Sequence, residues 1–256
     1  MQEFAKWTNL SETTFILPSK PAEIEDEDQA DYYVRIFTPY EELPFAGHPT
    51  LGSCHVFLNN LSKDPNQKTI IQECGIGKVK LTQVSKGKLA FICPKMIKSG
   101  DVEISMREEI LKDLGLDDTS AVIDVQHADN GPGWVLVLFK SVHKLLELSP
   151  LQSKYYIGCA SIYSKEEQEF YKTDSSVEVR TFCPGNNNLL FEDPVTGSFN
   201  AALALYLHQT KKVSLPYTAT QGQCMKFNGR LSIFQEDDNI YVGGEVKDCI
   251  SGNVLL

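Results

Sequence analysis

The sequence predicts an α+β chain of two similar domains, each a β-sheet wrapped around one central helix, and three observations predict it. Residues 34–58 and 179–203 superpose without a gap at one offset, 179 − 34 = 145. They share Val34/Val179, Arg35/Arg180, Phe37/Phe182, Pro39/Pro184, Pro49/Pro194, Gly52/Gly197, Ser53/Ser198 and Leu58/Leu203. That offset is far longer than a solenoid or propeller repeat, so it indicates two like domains and not a stacked array. Residues 195–207 read as a helix that is apolar on nearly every side, and a helix with no solvent face needs a sheet around it. Short β-rich runs punctuated by Gly, Asn and Asp surround both copies.

Taken in order, residues 1–10 predict a helix, with Phe4 and Trp7 three apart and Asn9 and Ser11 closing the pattern. Residues 12–17 predict a strand, 18–31 a solvated acidic loop and 32–38 a second strand on β-branched and aromatic content. Gly47-His48-Pro49 opens a helix through Leu58, with Pro49 suited to its first turn. Strands at 68–73, 77–84 and 88–93 are split by Gly75-Ile76-Gly77 and Lys86-Gly87-Lys88. A composition shift at 94–100 sets the boundary between domains 1–97 and 98–256. Beyond it come a capped amphipathic helix at 103–114 and strands at 121–126, 134–139, 154–163 and 177–182. After the buried helix, strands at 226–227, 231–235 and 239–242 close a meander, turned at Asn228-Gly229 and Asp238-Asn239, whose last strand could return to the first domain.

Composition narrows the function. The 256 residues carry 24 Lys+Arg against 34 Asp+Glu, a formal charge of −10, with no basic run. A nucleic acid or an anionic membrane is therefore not the main partner. Seven Cys without a CxxC pair, and no apolar leader, predict a cytoplasmic protein with reduced thiols. No apolar run approaches the ~20 residues that span a bilayer.

In both copies a strand delivers the chain to a Pro and then a Gly-Ser pair at a helix start. Backbone N–H groups there, helped by the helix dipole, bind carboxylate or phosphate. A pseudo-twofold axis would turn both starts into one interdomain cleft, with His48 on one wall and Asp193 on the other. Alternatively, Gly52 and Gly197 only admit close helix packing, Ser53 and Ser198 are caps, and Asp193 is an N-cap. His48 stands between Gly47 and Pro49, where its ring is presented and not folded into a helix face. Glu12, at a strand entry, is a candidate acid–base or an edge-strand charge. The other histidines lack metal-ligand spacing, and Gly75-Ile76-Gly77-Lys78 fits a hairpin turn better than a phosphate loop. The absence of GxSxG and GxGxxG argues against a serine nucleophile elbow and a dinucleotide cofactor.

Asn9-Leu10-Ser11-Glu12-Thr13-Thr14-Phe15, Arg35-Ile36-Phe37-Thr38-Pro39, Leu43-Pro44-Phe45-Ala46-Gly47-His48-Pro49-Thr50-Leu51-Gly52 and Glu192-Asp193-Pro194-Val195-Thr196-Gly197-Ser198 resemble the signature motifs of the PhzF family of phenazine-biosynthesis-like proteins. The resemblance extends through the Gly131-Pro132 loop, Gln221-Gly222 and Gly243-Gly244, and is closest to fungal cytosolic members. It implies the diaminopimelate epimerase fold, two pseudosymmetric domains with the active site between them. It implies cofactor-free, metal-free isomerisation of a small carboxylate substrate by proton transfer, in a homodimer. Glu12 matches the proton-carrying Glu. Asp193, His48 and Ser198 match residues that hold the substrate and aid proton movement, and Gly47 matches the place of an epimerase Cys. Thr196, Gly197 and Gly131 fall in the matching substrate-binding segments. A non-catalytic scaffold or ligand-binding protein keeping this fold is the alternative. The family opens with a strand and an FxGNP-type loop, whereas this chain opens at the following helix, so a first domain without that strand is expected. Phe199 stands where the family has a small residue, and is expected either to narrow the pocket or to pack behind it.

Overall fold

The computed structural model describes residues 1–19, 29–116 and 118–255. Residues 20–28, most of the expected acidic loop, lie outside the described residues. The chain forms two compact units. Met1–Phe45, Pro49–Phe91 and Gly243–Leu256 make the first; Ala46–His48 and Ile92–Val242 make the second.

The first unit runs α1 (Gln2–Thr8), β1 (Thr13–Leu17), β2 (Tyr32–Phe37), β3 (Glu42–Leu43), α2 (Gly47–Asn60, whose first two residues count with the second unit), β4 (Thr69–Cys74), β5 (Gly77–Ser85) and β6 (Lys88–Ile92). Its strand order is β1-β2-β4-β5-β6, with β3 on β2. The β2–β4 pair is parallel, and α2 is the crossover such a pair requires. The Gly75-Ile76-Gly77 segment is a hairpin turn, with Gly77 at φ +98°. Alternate residues of β2 face inward, where Tyr32 stacks on Phe57 of α2 at 4.7 Å. Its hydroxyl donates to Gln72, which donates to Thr50, so the buried polar atoms are bonded and not merely desolvated.

The second unit runs β7 (Lys98–Asp101), α3 (Ile104–Asp113), β8 (Val122–Asp129), β9 (Val135–Phe139), α4 (Val142–Leu146), β10 (Ile157–Ile162), α5 (Lys165–Tyr171), β11 (Val177–Pro184), β12 (Leu190–Asp193), α6 (Gly197–Gln209), β13 (Tyr217–Gln221), β14 (Gly229–Glu236) and β15 (Asn239–Glu245). The last residues of β15, from Gly243, count with the first unit. The order is β14-β13-β11-β10-β9-β8-β7, with β12 on β11. The β9–β10 and β11–β13 pairs are parallel and are joined through α4 and α6. Every residue of α6 from Gly197 to Ala204 is buried, as its all-round apolarity requires. Phe199 packs behind the helix start: its ring lies on Gly158 of β10, where any Cβ would overlap it, and 5.5 Å from Trp134.

Several expectations are corrected. Residues 226–227 form no strand, because Lys226 turns left-handed at φ +64° after a short 3-10 turn, and Gly229 starts β14 instead of completing a turn. Glu103 precedes α3 without a side-chain cap bond. The gapless repeat holds only for its first half. Phe37 pairs with Glu42 and Phe182 with Glu192, so the two loops differ by (192 − 182) − (42 − 37) = 5 residues. From there the matching offset is 150, and Gly47 and Gly197 each begin a helix. Gly52, the expected partner of Gly197, lies inside α2 with open space beside it. In the corrected register His48 corresponds to Ser198 and Asp193 to Leu43. Two further contacts agree: a Cβ on Gly75 would lie 2.6 Å from Pro44 Cα, and one on Gly222 would lie 2.7 Å from Pro194 O.

Candidate active site

Seven of the eight expected site residues, Gly47, His48, Gly131, Asp193, Thr196, Gly197 and Ser198, fall in the second unit, and Glu12 falls in the first. Within the second unit the helix-start glycines are in backbone contact. A Cβ built on Gly197 would meet Gly47 Cα at 2.6 Å, and one on Gly47 would overlap Gly197 Cα. Only glycine at both positions permits this approach. It sets side by side two helix starts, whose N–H groups and dipoles favour an anion.

The turn leading into α6 is fixed by a buried network. Thr196 Oγ1 donates to Asp193 Oδ2 at 2.5 Å, so its single proton is committed there. Thr196 Oγ1 then accepts from Thr181 Oγ1 at 2.6 Å and from Gln221 Nε2 at 3.0 Å. Gln221 also donates to the Asp193 carbonyl, and its Oε1 receives the Thr196 N–H and Asn200 Nδ2. Asp193 is thus an acceptor on a braced turn, and Thr196, occupied by it, makes no side-chain cap bond to α6. Asp193 is therefore not a simple N-cap, and neither is Ser198, whose Oγ accepts the indole N–H of Trp134 at 3.0 Å.

His48 is exposed, with Nδ1 3.1 Å from the Val195 carbonyl. A carbonyl only accepts, so Nδ1 carries the hydrogen and Nε2 is the lone-pair nitrogen of the neutral ring. Gly131 sits in the loop between β8 and β9, where Asp129 Oδ1 accepts the N–H groups of Gly131 and Gly133, each at 2.8 Å. That loop reaches the start of α6 through Asn130, whose Nδ2 donates to the Ser198 carbonyl at 2.8 Å. In the first unit, Asn9 ends α1 in a left-handed turn at φ 52°, and half-buried Glu12 immediately precedes β1, whose Thr13 pairs with Phe37.

Sequence reasoning missed Thr181, Gln221, Asn130 and Trp134 as parts of this arrangement. All are buried. Their signal was polarity at inward-facing strand positions and at the edges of a Gly-Pro-Gly loop, which asks for a bonding partner without naming one. Cys54 and Cys93 are not rival nucleophiles: burial pushes their thiols up to about 12, far above neutral pH.

A model of the family described as phenazine biosynthesis-like protein (PhzC-PhzF) matches residues 1–250. The chain is 33% identical to Antisense-enhancing sequence 1 of Schizosaccharomyces pombe over all of this chain and 88% of that protein. It is 31% identical to trans-2,3-dihydro-3-hydroxyanthranilate isomerase of Pseudomonas chlororaphis over 81% of this chain and 68% of that one. Its fold is similar to a predicted epimerase from Pseudomonas aeruginosa, with a TM-score of 0.75, 21% identity and coverage of 100% of this chain and 88% of that chain. The α+β, diaminopimelate epimerase-like fold expected from the motifs is the fold of this chain.

Proposed function

The chain belongs to the phenazine biosynthesis-like, PhzC-PhzF, family, and on that premise we propose that it is a cofactor-independent isomerase moving a proton within a small carboxylate-bearing metabolite. The isomerase class is supported by relatives that carry that activity in their names. The finer reading rests above all on the backbone contact of Gly47 with Gly197, which joins two anion-favouring helix starts beside His48, Asp193 and Ser198.

In this reading the helix starts and Ser198 hold the substrate carboxylate, and stabilise charge as it develops on the substrate. Glu12 takes the proton as a carboxylate and returns it as a carboxylic acid, one group serving as base and then acid. His48, with its lone pair on Nε2, and Asp193, braced by Thr196 and Gln221, assist the transfer. Acids like the trans-2,3-dihydro-3-hydroxyanthranilate of the Pseudomonas relatives are the substrates to try first. The cytosol is the proposed compartment and a homodimer the proposed assembly. Among the described residues no helix is long and apolar enough to cross a membrane.

The test is incubation of the protein with a host metabolite extract in deuterated water, followed by untargeted mass spectrometry. The reading expects one or a few organic acids to gain deuterium with protein present and not without it. Folded protein that labels nothing in the extract, and does not label the Pseudomonas substrate either, would overturn it.

A further inference from the structure

We propose that Phe191 and Leu189 form an apolar subsite beside Asp193, so that the acid this chain takes carries an apolar arm beyond its reacting end. The inference rests on the reading of the α6 start as the carboxylate site. In the antiparallel pair of β11 and β12, Asp193 stands opposite Thr181 and Phe191 opposite Cys183, and partners across such a pair share a face. Thr181 turns its hydroxyl to Thr196, which donates to Asp193, so this face carries the polar network of the site. Phe191 is the next side chain along it, about 7 Å on by strand rise. A Cβ on Gly185 would lie 3.5 Å from the Phe191 ring, which places the ring on that same side. Leu189 continues the row: it leads extended into β12, bridges to Gln152, and its carbonyl accepts the Gly185 N–H at 2.8 Å.

The opposite face of β12 is occupied, since Leu190 packs on the outer core and Glu192 holds Arg180. On the Asp193 face, by contrast, Phe191 is 54% exposed and Leu189 59%. Single exposed apolar side chains are ordinary, but two in file that end at Asp193 make a continuous wall. The wall is held in place: the Asn187 carbonyl accepts Gln152 Nε2 at 3.0 Å, the Asn188 carbonyl accepts the Ser153 N–H at 2.9 Å, and the Leu151 carbonyl accepts the Leu190 N–H at 3.0 Å. All of these residues belong to the second unit. The first copy has a different surface there. At the corrected offset, 191 − 150 = 41, Phe191 corresponds to exposed Glu41, whose carbonyl accepts the Thr38 N–H in a tight turn. The five extra residues of the second copy thus set apolar area beside the polar end, where an acid anchored by its carboxylate would lay an arm.

Benzoate and 4-butylbenzoate share their carboxylate, differ only by an apolar arm, and are the probes, titrated calorimetrically into the full chain. Covering about half of the butyl group is worth about tenfold, so 4-butylbenzoate is expected to bind about tenfold tighter and to be displaced by excess benzoate. Phe191→Ser should bring the two acids within about twofold of each other, and Phe191→Leu, which restores an apolar side chain, should keep most of the preference. Phe170→Ser removes another exposed aromatic, on α5, and should leave the preference as it is. Equal affinities in the unaltered chain, a preference that survives in Phe191→Ser, or 4-butylbenzoate that benzoate does not displace overturns the inference alone. So does a light-scattering mass that falls from two chains to one in Phe191→Ser, which would make the row an interface between copies. Failure of the unaltered chain to bind either acid defeats the carboxylate site itself, and this inference with it.

Discussion

The two copies of the repeat start alike and then diverge, and the divergence separates what duplication preserved from what chemistry required. In each, an Arg grips the Glu of a short returning strand through two parallel bonds: Arg35 with Glu42 at 2.7 and 2.6 Å, and Arg180 with Glu192 at 2.9 and 2.7 Å. In each, a Pro follows under a close glycine, and a glycine then opens a helix. Beyond that frame the copies differ. Arg35 is half-buried, its side chain 36% exposed, whereas Arg180 is buried and also donates to the carbonyls of Leu145, Leu146 and Leu148, which closes the end of α4. Asp193 in the second copy stands where the first has Leu43, and Ser198 where the first has His48. The frame is common to both copies, while the polar groups of the proposed reaction differ between them.

The comparison can be broken most forcefully at the arginines. Arg180→Ala leaves Glu192 and three carbonyls without their partner, and should cost about 3–5 kcal/mol in chemical unfolding. Arg35→Ala should change stability little, because its pair is solvated. Equal losses would show that burial does not distinguish the two pairs.

The glycines come next, and here the signs should be opposite. Gly197→Ala drives a methyl into the Gly47 backbone and should destabilise by about 1–3 kcal/mol. Gly52→Ala, at the position the gapless alignment equates with Gly197, meets nothing and should stabilise α2 by about 0.5–1 kcal/mol. Thermal melts of the two variants would sharpen the register: shifts of the same sign would favour the gapless alignment.

The smallest effect concerns Glu178, which corresponds to Tyr33 of the first copy. Its carboxyl is buried on β11 and accepts from Tyr163 and Thr220, and burial outweighs these bonds and raises its pKa above 4.5. With the folded value above the unfolded one, the protonated form favours the native state. That contribution is complete below the unfolded value and is lost as pH rises through the folded one. Glu178→Gln should therefore gain stability relative to the unaltered chain as pH rises through this window. A pH-independent difference would contradict the assignment.

Much of the fold was legible because its signals are local. The largely apolar run from Gly197 to Leu207, the alternation in β2 and the Gly turns of the first hairpins each imply one element. α5 was also legible, since Ser164 and Glu167 form a capping box, but its spacing was overlooked. The repeat misled because Pro, Gly and Ser matched by chance at an unbroken offset. Allowing a gap of five would have aligned Glu42-x-Pro44-x-x-Gly47 with Glu192-x-Pro194-x-x-Gly197, and so both helix starts. The polar network was not legible, because hydrogen bonds between Thr181, Thr196 and Gln221 join strands distant in sequence and leave no periodicity.

The central claim is that Glu12 carries the proton while the paired helix starts only hold the carboxylate. The most direct measurement is benzoate affinity and deuterium exchange on the same preparation of Glu12→Gln. The account predicts affinity near that of the unaltered chain, with exchange reduced by about 10²–10⁴. Exchange that persists at the unaltered rate in Glu12→Gln would contradict it.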